Sequence, residues 1–344
     1  MQNNAVQHKH ANDNNTESSS SNIILTIVST MTATPTAAMT ISQSIIDRFY
    51  DNLLDISSAA WDDQICDIIE TVLNVYLTII NNSTKANPEV SVAIRNLTTQ
   101  LLQAESSLSQ SSIFYIFQFL NIARILDDFR SKLGKIECYE EIEFAQKLLS
   151  TQELVARFDL NSLINSEYGK TYGPLIDSEL HYLWHYCPWL RNDNGSDTSK
   201  LHFVFVGSGA LPMTAILFAV KLNCKITCLD NNEEAIIYSR QIVERIGLTP
   251  HIIIEKMSGE DYIPNPQDII WLSILSTNKE TIIKNYNKFL NTNSVIAARS
   301  VNGLLCLLYE PINRDIFADS GFEELGINIK ESINVNHVIY YRKI

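Results

Sequence analysis

The sequence has no run of lysine or arginine, and its 26 basic residues are outnumbered by 39 acidic ones, for a net charge of −13. A nucleic-acid partner is therefore not expected, because phosphate binding needs a basic face. No apolar stretch is long enough to span a bilayer; the run at residues 23–28 is short and threonine-rich nearby. The N-terminus has no basic segment followed by an apolar core, so no secretory signal is expected and the cytoplasm is the expected compartment. Paired metal-ligand spacings are missing as well. The six cysteines (Cys66, Cys138, Cys187, Cys224, Cys228, Cys306) are scattered through apolar contexts. Cys224 and Cys228 lie beside and within a predicted strand, as small core residues of a reducing compartment do. His181 and His185 sit four apart with no third ligand evident, and His8 and His10 belong to a polar tail, so no protein-bound metal is expected.

What is present falls into two halves, as the chain length suggests. Residues 1–22 are Asn, Ser, His and charge, and 1–40 are expected to be a disordered or partly ordered tail interrupted by Pro35. From Ser42 the period becomes helical. Ile45, Ile46, Phe49, Leu53 and Leu54 recur at three- and four-residue spacings, and similar patterns run through 65–80, 90–104 and 113–133. Residues 82–88 and 105–112 are polar breaks that serve as turns, and Gly134 is expected to cap the fourth helix at its C-terminus. There is no strand alternation, so 41–191 is expected to form a helical bundle domain. Within it Glu137, Glu140, Glu141 and Glu143 read as a solvated acidic face. Tyr168 and Tyr172 would share a helix face, but Gly173-Pro174 makes a loop at least as probable a reading there. Residues 192–199, NDNGSDTS, form a linker.

Residues 201–212, LHFVFVGSGALP, organise the second half. A Val- and Phe-rich run reads as a buried parallel strand, broken at Gly207-Ser208-Gly209 and followed by room for a helix. Strand, glycine turn and helix N-terminus together make a place for a nucleotide-like ligand. Asp230 ends the next apolar run, 225–229, where an acidic side chain can accept hydrogen bonds from ribose hydroxyls. The third glycine of G-x-G-x-x-G is missing, since Pro212 stands there, so a mononucleoside such as S-adenosylmethionine fits better than a dinucleotide. Strands are expected near 202–206, 225–229, 251–255, 268–272, 294–299 and 338–341, and helices at 212–222, 233–246, 279–290 and 301–309. This alternation predicts a Rossmann-like, doubly wound α/β sheet over 200–344. Gly259 and Glu260, in the polar stretch 258–261, either meet an adenine edge or cap a turn.

The run VGSGALPMT (206–214), with Asp230, Arg299-Ser300, Gly303 and Tyr309-Glu310-Pro311, resembles the nicotianamine synthase family. The Leu211-Pro212 pair after the second glycine is its most specific mark. Tyr168, Tyr172, Leu175 and Glu179 resemble the family's Y-x-x-N-Y-x-x-L-x-x-x-E segment, with Thr171 in place of the usual Asn, a departure that bears on the acceptor pocket. Residues 141–146, EIEFAQ, resemble the segment holding the family's catalytic glutamate, with Glu141 at the matching position. The likeness covers 137 to the C-terminus; the residues before it share only helical character.

The resemblance implies transfer of the 3-amino-3-carboxypropyl group of S-adenosylmethionine to an amine, releasing 5′-methylthioadenosine. It implies S-adenosylmethionine as co-substrate and a small-molecule amine acceptor, either S-adenosylmethionine-derived, as in nicotianamine, or an amino acid such as histidine, as in bacterial opine-type metallophores. The helical domain would contribute the acceptor site. Glu141 is the expected base or charge partner and Tyr172 the residue that orients the amine, with Tyr168 and Glu179 beside it. Gly207, Ser208, Gly209, Leu211, Pro212, Asp230, Gly259 and Glu260 are expected around the nucleoside. Arg299 is either a carboxylate clamp or a structural ion pair at a strand end. A homodimer is compatible with this reading. Three other readings stand beside it: a small-molecule N-methyltransferase, a non-catalytic nucleoside-binding regulator, and a helical interaction protein.

Overall fold

A computed structural model describes residues 63–81, 87–122, 124–150, 158–191, 197–328 and 336–344. The expected tail with His8 and His10, the expected helix carrying Ile45 to Leu54, residues 82–86 of the first polar break and 192–196 of the linker lie outside the described residues.

The chain divides into two compact units. One comprises the described residues up to Asn81 together with Val92–Phe129, and the other comprises Arg130–Ile344 with the described residues just before Val92. In the first, α1 (Asp63–Asn81) packs on α3 (Gln110–Ile122), with α2 (Pro88–Ala104) between them in sequence. The period of the apolar residues explains the packing. Ile65, Ile68, Ile69, Val72, Leu73, Tyr76 and Ile79 are all buried on α1. The Tyr76 hydroxyl donates to Asp128 at 2.5 Å, and its ring meets Phe129 edge-on.

The single helix expected over 113–133 is two. After α3 the backbone turns through Arg124 at φ 54°, and α4 (Leu126–Ser150) begins with Asp127 and Asp128 in its first turn, where the helix dipole favours acids. α4 runs straight through Gly134, which is therefore no C-cap. A side chain at Gly134 would press on Leu275, so the glycine there permits close approach rather than a stop.

In the second unit α5 (Leu160–Ile164) is closed by a reciprocal Asp159–Ser162 capping box, and α6 (Glu167–Tyr186) starts at a Ser166 cap. α6 continues through Gly173 and Pro174, so of the two readings open there, shared helix face or loop, the helix holds. An interior proline costs about 3 kcal/mol; burial of Ile176, Leu180 and Leu183 in the main core offsets it.

The sheet has seven strands, β1 (His202–Val206), β2 (Lys225–Asp230), β3 (Ile252–Lys256), β4 (Ile269–Leu272), β5 (Val295–Ser300), β6 (Phe322–Ile327) and β7 (His337–Lys343), in the order β3-β2-β1-β4-β5-β7-β6. The first five pair in parallel; β7 is antiparallel to both its neighbours. The central parallel strands β1 and β4 read as continuous apolar runs because both faces are covered. Phe203, Phe205, Cys228 and Trp271 fill one side, while Val204, Val206, Leu229 and Leu272 fill the other. The connecting helices are α7 (Met213–Leu222), α8 (Glu233–Arg245), α9 (Lys279–Tyr286) and α10 (Arg314–Asp319). The helix expected at 301–309 is a short 3-10 segment, Gly303–Leu307. β6 and α10 were not anticipated. β6 buries only Phe322 and is interrupted between Glu324 and Gly326, so it carries little periodic signal.

Ile142, Ala145, Ile176, Leu180 and Leu183 share one core with Phe203, Phe218 and Trp271. The compact division consequently falls inside α4, not at the polar stretch near residue 192. No helix among the described residues is long and apolar enough to cross a membrane.

Candidate active site

The strand order reverses between β1 and β4, and in such sheets the crevice at the carboxyl ends of the strands is where ligands bind. β1 ends there in Gly207 and Gly209, with φ of 77° and 71°, a region that a Cβ disfavours. The Gly207 N–H donates to the Leu229 carbonyl at 2.9 Å, and a Cβ at that position would run into the Ser273 hydroxyl. The Gly209 N–H donates to Asp230 Oδ2 at 2.8 Å, and Asp230 Oδ1 accepts from the Asn232 N–H at 2.9 Å. Asp230 thus fastens the glycine turn to the tip of β2. A carboxylate has about four lone-pair sites, so capacity remains for hydroxyl donors. Ser208 is buried within the turn, and Pro212 stands at the N-cap of α7.

Glu141 comes to this turn from α4. Its Oε1 accepts the Leu211 N–H at 3.0 Å, and a Cβ on Gly209 would land on its carboxylate. The missing side chain at 209 is what makes room for the acid. Burial pushes Glu141 up to about 8; the Leu211 hydrogen bond opposes this, and nearby Asp230 adds to it. One turn earlier Glu137 accepts a hydrogen bond from the Tyr309 hydroxyl at 2.5 Å, and burial pushes it up to about 7 against that bond. The acidic stretch is therefore not a solvated face at these two positions. Glu137 and Glu141 turn inward, while Glu143 is exposed.

The rings of Phe144, Tyr168 and Tyr172 stack in series, each pair 5.1 Å apart. Burial raises both phenols, with Glu141 contributing in the same direction, so they persist as neutral O–H groups. Glu179 is fully buried and accepts both Nε and Nη2 of Arg299 at 2.9 Å; Nη2 also donates to the Thr214 hydroxyl. Arg299 lies over the Phe205 ring, and its Nη1 has no hydrogen-bond partner among the described residues. Glu179 thus faces Arg299, and only the remaining guanidinium nitrogen is unclaimed.

Gly259 and Glu260 stand in the turn after β3. Gly259 is buried where a Cβ would strike Val206 and Ile282, and its carbonyl accepts the Tyr286 hydroxyl at 2.8 Å. Glu260 is engaged by the Ser258 hydroxyl and the Asn278 amide. The Tyr309–Glu137 pair and Asn232, whose amide reaches Cys138 at 3.4 Å, were not anticipated as site residues. The four-residue spacing of Glu137 and Glu141 was the available signal for the first. Among the described residues no group of three or more His, Cys, Asp or Glu side chains could hold a metal ion.

The family model described as nicotianamine synthase protein matches residues 62–344. The chain belongs to the nicotianamine synthase family. Over 114 residues, 33% of this chain and 42% of the relative, it is 27% identical to an L-histidine 2-aminobutanoyltransferase of Yersinia pestis. Over 82 residues it is 34% identical to a protein of the same name from Pseudomonas aeruginosa (strain UCBPP-PA14), covering 24% of this chain and 28% of that one. The matched stretches thus span less than half of these curated relatives. Among solved structures, MtNAS in complex with MTA and tNA aligns at a TM-score of 0.60 and 17% identity, over 82% of this chain and 97% of MtNAS. A mutant of MtNAS in complex with S-adenosylmethionine aligns at 0.60 and 16% identity, over 80% and 97%. This nicotianamine synthase family member therefore shares the MtNAS fold, with a Rossmann-like sheet preceded in sequence by helices.

Proposed function

We propose that this chain transfers the 3-amino-3-carboxypropyl group of S-adenosylmethionine to a small-molecule amine and releases 5′-methylthioadenosine. The observation that carries the reading is the seat of Glu141: an acid raised to about 8, held on the backbone of the nucleoside turn itself. Base and electrophile would then share one frame, so the acceptor meets the right carbon of the sulfonium in near-attack geometry.

In this reading Gly207, Ser208, Gly209, Leu211 and Pro212 form the turn around the donor, and Asp230 holds the ribose. Gly259 and Glu260 lie toward the adenine. Arrival of the sulfonium's positive charge lowers Glu141 toward ionisation. The carboxylate then takes a proton from the acceptor ammonium. The freed nitrogen lone pair forms the N–C bond while the C–S bond breaks, its electron pair going to sulfur as a neutral thioether. Tyr172, with Tyr168 behind it, hydrogen-bonds the amine or a substrate carboxylate, and Nη1 of Arg299 is the donor available for that carboxylate. Glu179 acts by holding Arg299.

The acceptor is an amino acid such as histidine or a unit derived from S-adenosylmethionine, and the product is a nicotianamine-like or opine-precursor metallophore. The free thiols of Cys138, Cys187, Cys224 and Cys228 suit a reducing compartment, and the proposed location is the cytoplasm. The test is mass spectrometry of purified protein with S-adenosylmethionine and a panel of amines. 5′-Methylthioadenosine is expected, whereas S-adenosylhomocysteine would make the chain a methyltransferase and leave Glu141 unexplained. Product from S-adenosylmethionine alone would identify a nicotianamine-type acceptor; product only with histidine would identify an opine-type one.

A further inference from the structure

We propose that Glu137 determines acceptor specificity: held by Tyr309 on the same helix face as Glu141, it receives a second basic nitrogen of the acceptor. The inference rests on the transfer reading above and deepens it by naming the acceptor class.

α4 places Glu137 and Glu141 one turn apart, and side chains at that spacing share a face with Cβ atoms about 5–6 Å from each other. The Tyr309 hydroxyl fixes one Glu137 oxygen at 2.5 Å, and the other has no hydrogen-bond partner among the described residues. Neither acid forms an ion pair with Lys, Arg or His among the described residues, whereas Glu179, on α6, is fully matched by Arg299. The groups that act on Glu137 are Tyr309 and Glu140, and it in turn acts on Glu141, Tyr168 and Tyr172. Glu140 itself accepts from the Ser91 hydroxyl. Two crowded carboxylates ringed by phenols, with no counter-ion among the described residues, are costly by themselves and complementary to a ligand that brings positive charge. One carboxylate serves the nucleophilic nitrogen; the other, a turn away, is left for a second. Burial that lifts Glu137 to about 7 leaves it ready to ionise when that cation arrives. The acceptor class is therefore an amine with another basic nitrogen a few bonds away, such as a diamino acid or an imidazole-bearing amino acid.

The test uses a matched pair of probes, 2,4-diaminobutanoate and 2-aminobutanoate, which differ by one amino group. Binding to the full chain is measured by calorimetry with 5′-methylthioadenosine present. The wild type is expected to prefer the diamino acid by about tenfold or more, the size of one charge-assisted hydrogen bond. Glu137→Gln, which keeps an oxygen for Tyr309, should bring the two probes within about twofold without weakening 2-aminobutanoate, and Tyr309→Phe should reduce the preference. Equal or absent binding of the two probes to the wild type, or a preference that survives Glu137→Gln, would overturn the proposal. A wild type that shows the preference but makes no 5′-methylthioadenosine with any amine would instead sink the transfer reading alone.

Discussion

The carboxylate of Glu141 accepts a hydrogen bond from the backbone N–H of Leu211, 70 residues further along the chain. That bond joins the α4 helix to the turn after β1.

Glu141→Gln keeps the shape and an acceptor for Leu211 but removes the proposed base. Turnover should fall by about two orders of magnitude or more, the usual contribution of a positioned general base. S-adenosylmethionine affinity, by calorimetry, should change little. Equal loss of both would remove Glu141 from the base role.

Gly209→Ala places a methyl where the Glu141 carboxylate now sits and forces φ of 71° on a residue with a Cβ. The backbone strain costs about 1–2 kcal/mol, read as a lower urea midpoint. Turnover should drop further than that strain explains, because the proposed base is displaced. Wild-type turnover in this variant would place Glu141 elsewhere during catalysis.

Much of this frame was legible in the sequence. β1, the glycine turn and Asp230 announce themselves because a parallel strand buried on both faces must be apolar throughout and must end where the backbone needs glycine. The inward turn of Glu137 and Glu141 was not legible from composition. Acids at four-residue spacing look the same whether a helix face meets water or a crevice, and only packing by Ile142 and Ala145 decides it. Gly134 and Pro174 misled for a related reason: local breakers lose to tertiary burial when the flanking turns carry Leu133 on one helix and Ile176 and Leu180 on the other. β6 escaped notice because only Phe322 of its six residues is buried, leaving no alternation to read.

Asp230→Ala removes the acceptor for the Gly209 and Asn232 N–H groups together with the proposed ribose ligand. Nucleoside affinity should weaken by about 2–4 kcal/mol, one or two charge-assisted hydrogen bonds. Unchanged affinity would mean that the tip of β2 does not meet the ribose.

Stability should also depend on pH in a defined window. Glu141 and Glu137 titrate near 8 and 7 in the folded chain against an ordinary 4.5, so the native state binds more protons than the unfolded state between those values. Stability in urea should therefore fall as pH rises from about 5 to about 8 and level off above, by up to a few kcal/mol. Glu141→Gln should flatten that slope; an unaltered slope would show that other groups dominate it.

Arg299→Met leaves Glu179 as a buried charge without its partner, at a cost of about 3–5 kcal/mol. Replacing both members with apolar residues should recover much of that loss in the urea midpoint. A double variant as unstable as the single one would show that the pair is held for more than mutual neutralisation.

Aminocarboxypropyl transfer and methyl transfer differ in which carbon of the sulfonium the amine attacks. S-adenosylmethionine carrying carbon-13 in its aminocarboxypropyl chain and deuterium in its methyl group decides it in one reaction with the full chain. The expected acceptor gains the carbon-13 chain and no deuterium, with the deuterium retained in 5′-methylthioadenosine. Deuterium on the acceptor, with the carbon-13 chain left in S-adenosylhomocysteine, would contradict it.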